Sequence, residues 1–247
     1  MKIKLEAFES IDSTNNYLKQ RAREGAPEGT VAIANAQTDG KGRLGRSFAS
    51  PPGVGIYLSL LLRPDCDAVN MQSITANVAV AVSKAIEKTC GVNPEIKWVN
   101  DLLLRGRKIC GILCECAVDD DGHYYIVIGI GVNVSNRMEH FPQEIRNIAG
   151  SIYTQTGIEV ERGALISAML SELDSMYECW KENSTAMLAD YKKRCTMLGH
   201  LVEIAAADEV YDAVAEDISE DFGLCLRLDD GTRRVIHNGE VSARYKS

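Results

Sequence analysis

The chain has 247 residues, of which 45% are hydrophobic and 25% charged, and its formal net charge is −8 at pH 7. This composition is typical of a soluble globular protein of one large or two unequal domains, long enough to bury a core without disulfide or metal support. No run approaches the ~20 apolar residues needed to cross a bilayer, and residues 197–247 hold eleven acids against five Lys or Arg. A membrane span is therefore excluded, and the acidic tail is predicted to be a poor partner for nucleic acid.

The first quarter of the chain predicts three strands and one helix. Alternating hydrophobic residues predict a strand at 3–8, after which a Ser-Thr-Asn segment caps a helix that ends near residue 23. A second strand at 31–36 leads into a loop rich in glycine and cations. A third strand is predicted at 56–62 from its continuous apolar run.

The next segment predicts an amphipathic helix and three further strands. The helix spans 71–90, where apolar residues recur at helical spacing. A short strand at 95–98 follows, and two longer strands at 109–118 and 124–132 are joined by an Asp-Asp-Asp-Gly turn. The alternation of strands and helices predicts an α/β fold with a mixed sheet.

The pattern changes near Thr196, after two helices predicted at 162–181 and 185–194. Beyond this residue, short alternating runs separated by Asp-Gly and Asn-Gly turns predict a small β-barrel of about 50 residues. Its strands are predicted at 202–205, 210–218, 224–228 and 233–236. We therefore divide the chain into a large domain at 1–196 and a small domain at 197–247.

The eight cysteines include no C-x-x-C pair, which is typical of reduced thiols in the cytoplasm. Cys110, Cys114 and Cys116 share one parity of a predicted strand and therefore one face of a sheet. They either hold a metal together or fill that face as small apolar side chains. The second interpretation is favoured.

The loop at residues 37–46 combines three glycines with three cations. Glycine permits close backbone approach and positive φ, so backbone and side-chain donors are predicted to surround an anion. A solvated basic hairpin is the alternative. The glycines match G-x-G-x-x-G, but Pro51 and Pro52 follow, whereas a dinucleotide-binding loop must open a helix. A Walker loop is excluded because no Gly-Lys-Ser or Gly-Lys-Thr occurs.

Four segments occur in order along the chain. They are Asp12-Ser13-Thr14-Asn15; the basic loop Gly40-Lys41-Gly42-Arg43-Leu44-Gly45-Arg46; Lys97-Trp98-Val99-Asn100-Asp101 with Arg107-Lys108-Ile109-Cys110-Gly111-Ile112-Leu113; and Gly129-Ile130-Gly131-Val132-Asn133. Together they resemble biotin protein ligase, and Gly239-Glu240-Val241 matches the end of that family's small domain.

The resemblance implies an α/β fold of the α+β type, with a catalytic domain of the biotin/lipoate ligase type and a C-terminal SH3-like β-barrel. It also implies an ATP-dependent enzyme that converts biotin to biotinyl-5′-AMP, with Mg²⁺ as the metal. The biotin would then be transferred to a lysine of a biotin carboxyl carrier protein domain.

The resemblance further implies roles for individual residues. The biotin site would comprise Ser13, Thr14, Asn15, Gln37, Gly40, Lys41, Gly42, Arg43, Lys108 and Gly111. The ATP and adenylate site would comprise Arg43, Arg46, Asn100, Asp101, Lys108 and Asn133. Lys108 and Arg43 are the implied catalytic residues, Asp101 the implied metal ligand, and Asn133 the residue that reads adenine.

The chain departs from the family pattern at three positions. Lys41 stands where arginine is usual, and it keeps the charge but loses the bidentate fork. Phe48 stands where tryptophan is usual, and Val99 where proline is expected. Weaker retention of the adenylate is the expected consequence at Lys41.

Three other functions are alternatives to this one. Lipoate ligation uses a related fold but lacks this basic loop, and a module that binds the adenylate without transfer is left open. A DNA-binding repressor needs a helix-turn-helix ahead of Ser13, for which we see no room. We predict a cytoplasmic enzyme of the short kind, with no nucleic-acid or membrane partner and with homodimer formation left open.

Overall fold

The computed structural model describes residues 1–64, 71–206 and 209–243. Its first seven strands are β1 (Lys4–Ile11), β2 (Thr30–Gln37), β3 (Gly55–Leu62), β4 (Glu95–Lys97), β5 (Asp101–Leu104), β6 (Arg107–Val118) and β7 (Tyr124–Asn133). They form one sheet in the order β1-β2-β3-β7-β6-β5-β4. β1 and β2 are parallel and the other neighbours are antiparallel, so the predicted mixed sheet is confirmed.

Helices cover both faces of this sheet. They are α1 (Thr14–Arg23), α2 (Met71–Cys90), α3 (Ile152–Thr156), α4 (Arg162–Glu182) and α5 (Leu188–Arg194). α2 and α4 pack together against one face, and α1 packs against the other. All eight residues of β3 are buried, as expected for a continuous apolar strand between two helical layers. None of the helices in the described ranges is long and apolar enough to cross a membrane.

A second, antiparallel sheet follows. Its strands are β8 (Leu201–Ala206), β9 (Glu209–Ile218), β10 (Leu224–Arg227), β11 (Arg233–Ile236) and β12 (Glu240–Ala243), in the order β11-β10-β9-β8-β12. The predicted small domain of short antiparallel strands is confirmed, and within the described residues its sheet is not closed into a barrel, because β11 and β12 lie at opposite edges and do not pair. β12 pairs with β8 instead, and each edge strand has only four residues.

The two sheets share one hydrophobic core. The Trp98 indole N–H donates to the Phe222 carbonyl at 3.0 Å. The Phe222 ring is fully buried and meets the Tyr191 ring edge-on, with 5.7 Å between centroids. The small sheet is therefore packed directly against the segment that precedes β5.

The cysteines on β6 divide between core and surface. Cys110 is buried, Cys114 partly buried and Cys116 exposed. Burial raises the pKa of the Cys110 thiol above its usual range and that of Cys114 to about 12. Cys110 therefore acts as a small apolar side chain in the core, as the favoured interpretation predicts. Cys116 does not, because it lies on the exposed part of β6. In the described ranges, no three His, Cys, Asp or Glu side chains form a metal-binding group.

Candidate active site

A cavity of about 450 Å³ lies where β2, β5, β6 and β7 meet the basic loop. Its lining includes the predicted site residues Ser13, Thr14, Asn15, Gln37, Lys41, Gly42, Arg43, Arg46, Asn100, Asp101, Lys108, Gly111 and Asn133. Gly40 lies behind the lining, where a Cβ would be 2.4 Å from the Phe48 carbonyl oxygen. The fold therefore brings four separate sequence segments to one cavity.

Parallel pairing of β1 and β2 places the Ser-Thr-Asn segment beside the basic loop. Ile11 and Gln37 are register partners at the ends of these strands. The Thr38 N–H donates to the Ile11 carbonyl, and the Asp39 N–H to the Asp12 carbonyl, both at 2.9 Å. Two segments that are distant in the chain thus start from neighbouring strand ends, at the same end of the sheet.

Buried hydroxyl and amide groups form one end of the cavity. The Thr14 N–H donates to Gln37 Oε1 at 2.9 Å, and Gln37 Nε2 donates to Ser50 Oγ at 2.9 Å. Ser13 is the N-cap of α1, and its Oγ accepts from the Asn16 N–H at 3.5 Å. Ser13 is only 1% exposed, so its side chain both caps the helix and lines the cavity.

Glycines form the floor beneath Phe48. Gly111 and Gly131 are register partners on β6 and β7. A Cβ on Gly131 would lie 2.4 Å from the Phe48 ring, and a Cβ on Gly111 would lie 3.2 Å from Lys108 Nζ. Since real Cβ atoms do not approach this closely, glycine at Gly131 is required by the close approach of the ring.

We expect Gly131→Ala to displace the basic loop. Overpacking of this kind costs about 1–3 kcal/mol, so cleavage by trypsin at Lys41, Arg43 or Arg46 should be about 10-fold faster than in the parent. The Gly131→Ala/Phe48→Ala double variant removes the clash and is the matched test. Unchanged proteolysis of Gly131→Ala, or a double variant no different from it, would contradict this account of the floor.

An ion pair and an amide connect β5, β6 and the basic loop. Lys108 Nζ lies 2.7 Å from Asp101 Oδ1, and Arg43 Nη1 donates to Asn100 Oδ1 at 3.0 Å. Asn100 in turn is fixed by Ile112, whose N–H donates to its carbonyl and whose carbonyl accepts from its Nδ2. Two cations are therefore held at the cavity wall, Lys108 by a carboxylate and Arg43 by an amide oxygen.

The basic loop is a short hairpin. The Gly42 N–H donates to the Arg46 carbonyl at 2.7 Å, and the Phe48 N–H donates to the Gly40 carbonyl at 2.8 Å. Its tip turns through Leu44 and Gly45, both at positive φ. The Lys41 ammonium pairs with the Asp39 carboxylate. Lys41 is therefore engaged by a neighbouring acid of the same loop.

Asn133 presents an unused acceptor. Its Nδ2 donates to the Gly150 carbonyl at 3.0 Å, and its buried Oδ1 has no partner among the described residues. Because an amide oxygen can only accept, a ligand donor such as an amino group satisfies it. This end of the cavity therefore favours a ligand group that can donate a hydrogen bond.

Two groups of lining residues were missed in the sequence. Phe141, Ile145, Ile148 and Ala149 lie in an irregular segment whose one-turn helices give no periodicity. The backbone of Lys108 holds this segment against β6: its N–H donates to the Ile148 carbonyl, and its carbonyl accepts from the Gly150 N–H. Gly239 and Val241, from the small sheet, also line the cavity; their motif was recognised, but its position beside the site was not.

The fold and the cation-lined cavity define the class of the biotin/lipoate A/B protein ligases. The sequence profile of that family matches residues 7–133, and the chain belongs to it. Its site-bearing motifs and relatives are those of the biotin protein ligases, as the resemblance predicted.

Three similar proteins illustrate this assignment. The biotin–[acetyl-CoA-carboxylase] ligase of Mycobacterium tuberculosis is 32% identical over 244 residues, which cover 96% of this chain and 88% of that protein. The bifunctional ligase/repressor BirA of Bacillus spizizenii is 31% identical over 226 residues, covering 91% and 70%. The biotin protein ligase of Aquifex aeolicus in complex with biotin and ATP superposes with a TM-score of 0.84 at 28% identity, covering 100% of both chains.

Proposed function

We propose that the protein activates biotin with ATP to biotinyl-5′-AMP and transfers the biotinyl group to a lysine of a biotin carboxyl carrier domain. The observation on which this mainly rests is the single cavity that joins a buried donor and acceptor cluster, a pair of cations and the unused acceptor of Asn133. Biotin's ureido group, the reacting carboxylate and phosphate, and adenine need these three environments in this order.

In the first half-reaction, a carboxylate oxygen of biotin attacks the α-phosphorus of ATP and pyrophosphate leaves. Negative charge increases between the reacting groups, and Lys108 and Arg43 are held where they offset it. Because both side chains are already fixed by Asp101 and Asn100, little reorganisation is needed during the reaction. No covalent bond to the protein is required.

In the second half-reaction, the amine of the carrier lysine attacks the acyl carbon, an amide forms and AMP leaves. The carrier ammonium loses one proton before the attack and the nitrogen loses a second as the amide forms, so one N–H remains; solvent or a carboxylate takes both protons. The cations that stabilised the first step also stabilise the departing phosphate. The cavity must therefore stay open to the carrier on one side while it holds the adenylate.

Asp101 fits a role in holding Mg²⁺. It is the only carboxylate among the described residues that line the cavity. Its Oδ1 pairs with Lys108, which leaves Oδ2, and Mg²⁺ commonly binds one carboxylate together with phosphate oxygens and waters. When bound, the ion would neutralise charge on the phosphates of ATP.

The test is an incubation of the protein with biotin, ATP, Mg²⁺ and a carrier domain, read by mass spectrometry. We expect the carrier to gain the mass of one biotinyl group, and a carrier with its target lysine changed to arginine to gain none. Lipoate in place of biotin serves as the matched substrate control. Transfer of lipoate alone would overturn the proposal, and pyrophosphate release without a change in carrier mass would favour an adenylate-binding module.

The pairing of Lys41 with Asp39 leads to a prediction about adenylate release. In Asp39→Asn, Lys41 is freed to bind the phosphate, so dissociation of preformed biotinyl-5′-AMP should slow by about 2–5-fold, as an exposed ion pair is worth about 0–1 kcal/mol. Dissociation is measured by trapping the released adenylate. The Asp39→Asn/Lys41→Met double variant should show no slowing; equal slowing in both would show that Lys41 is not the cause.

A further inference from the structure

A buried serine lies directly behind the cavity wall, between a side chain of the cavity and the backbone of the basic loop. Ser50 is 7% exposed. Its Oγ accepts from Gln37 Nε2 at 2.9 Å and donates to the Phe48 carbonyl at 3.0 Å. Gln37 and Phe48 both line the cavity, whereas Ser50 does not. The Ser50 hydroxyl therefore joins two parts of the site without facing a ligand itself.

Backbone groups fix the direction of both hydrogen bonds. The Thr14 N–H donates to Gln37 Oε1 at 2.9 Å, and the Thr14 hydroxyl donates to the same oxygen at 3.1 Å. The amide oxygen of Gln37 is therefore held by Thr14 independently of Ser50, and its Nε2 faces Ser50. The Phe48 carbonyl can only accept, so it takes the single Ser50 proton. Gln37 Nε2 has one further N–H, which is left for an acceptor on a ligand.

Ser50 has no substitute at either end of this link. In the part of the chain that the structure describes, no other group accepts from Gln37 Nε2, and no other group donates to the Phe48 carbonyl. The backbone of Ser50 is held separately, because its carbonyl accepts from the Gln37 N–H at 3.1 Å. Removal of the hydroxyl therefore breaks the link while the backbone pairing remains.

The link reaches the rest of the basic loop through Phe48. The Phe48 N–H donates to the Gly40 carbonyl at 2.8 Å and closes the base of the hairpin. The ring lies on the glycine floor, where a Cβ on Gly131 would be 2.4 Å from it. When Phe48 leaves this position, the Ser50 proton loses its acceptor. Hydrogen bonding at Gln37 and the position of the loop therefore support each other.

We propose that Ser50 is a positioning residue that couples the binding of biotin to the position of the basic loop. This inference rests on the proposed function. The ureido oxygen of biotin accepts from the free N–H of Gln37 and immobilises the amide. Ser50 passes this restraint to the Phe48 carbonyl, so the loop opens less often over the bound ligand. Because coupling between two sites is reciprocal, the fixed loop also increases the affinity for biotin.

The test is Ser50→Ala, with trypsin cleavage at Lys41, Arg43 or Arg46 as the measure of loop opening. In the parent, saturating biotin should slow this cleavage by about 10-fold. In Ser50→Ala, biotin that saturates the variant should slow it by less than about 3-fold. KM for biotin, measured by pyrophosphate release, should rise about 5-fold, because the variant leaves a donor and an acceptor of the site unpaired.

Ser73→Ala is the matched control. Ser73 is 6% exposed, and its Oγ accepts from Trp180 Nε1 at 2.8 Å where α2 packs against α4. Loss of this hydroxyl should lower the temperature of unfolding but leave KM for biotin and the protection by biotin within about 2-fold of the parent values. A purely structural role for Ser50 would speed cleavage equally with and without biotin, so the ratio of the two rates would stay unchanged.

Protection of Ser50→Ala by biotin as strong as that of the parent would overturn the inference. An equal loss of protection in Ser73→Ala, or a parent whose cleavage is unchanged by bound biotin, would do the same. Absence of biotin-dependent pyrophosphate release from the parent would instead reject the proposed function. An active parent together with full protection of Ser50→Ala rejects only the role of Ser50.

Discussion

Lys108→Ala is expected to lower the rate of biotin-dependent pyrophosphate release by about 100-fold or more. Removing one preorganised charge-stabilising donor typically costs about 10²–10³-fold in rate. Here the loss is compounded because the variant leaves the Asp101 carboxylate, now without its partner at 2.7 Å, beside an anionic substrate. The rate is measured at saturating biotin and ATP.

Two variants accompany this measurement. Lys88 is an exposed lysine on α2 that also faces a carboxylate, Glu172, at 3.8 Å, so Lys88→Ala removes a comparable ion pair far from the cavity and should leave the rate unchanged. Lys108→Arg keeps the charge and should retain more activity than Lys108→Ala. A rate in Lys108→Ala equal to the parent's would mean that Lys108 is only a structural partner of Asp101.

Phe222→Ala is expected to lower the free energy of unfolding by about 3–5 kcal/mol, the usual cost of removing a fully buried phenylalanine ring. The ring fills the contact between the small sheet and the segment around Trp98 and Tyr191. Since the core is continuous across this contact, urea denaturation should show one transition that shifts as a whole, followed by tryptophan fluorescence and circular dichroism.

The control for this prediction is Val210→Ala. Val210 lies on the same small sheet but is 69% exposed, so its loss should change stability by no more than about 0.5 kcal/mol. Two separate transitions in the parent, or a loss below about 1 kcal/mol in Phe222→Ala, would show that the small sheet folds independently. Because Gly239 and Val241 line the cavity, we also expect Phe222→Ala to impair both half-reactions.

Long periodic segments were predictable because their faces are uniformly buried. The helices at α2 and α4 follow the 3.6-residue spacing, and the residues expected to face the core, such as Ile74 and Val82, are fully buried. β5 was missed because four residues provide too little periodicity. Its signal was the Arg105-Gly106 turn, where both residues have positive φ, as a two-residue hairpin turn requires.

The strand order of the small sheet could not be predicted from the pattern of its residues. Turn residues and alternation correctly indicate short antiparallel strands, but they do not specify which edges meet. The pairing of β12 with β8 joins residues about 40 positions apart, and nothing local to either strand encodes that choice. A closed barrel and an open sheet therefore have the same local pattern.

By itself, the sequence determined the fold class, the family and a set of site residues of which all but Gly40 line the cavity, because glycine, cations and short polar side chains at fixed spacing have few chemical uses. Only the tertiary structure showed that Lys41 is engaged by Asp39, that the Lys108 backbone recruits residues 141–149, and that Glu115 reaches Asn15 across 100 positions. Apart from the Lys41–Asp39 pair, whose residues are neighbours in one loop, these are contacts between side chains or backbones from distant segments. Their existence depends on strand register and packing, which local patterns of residues do not specify.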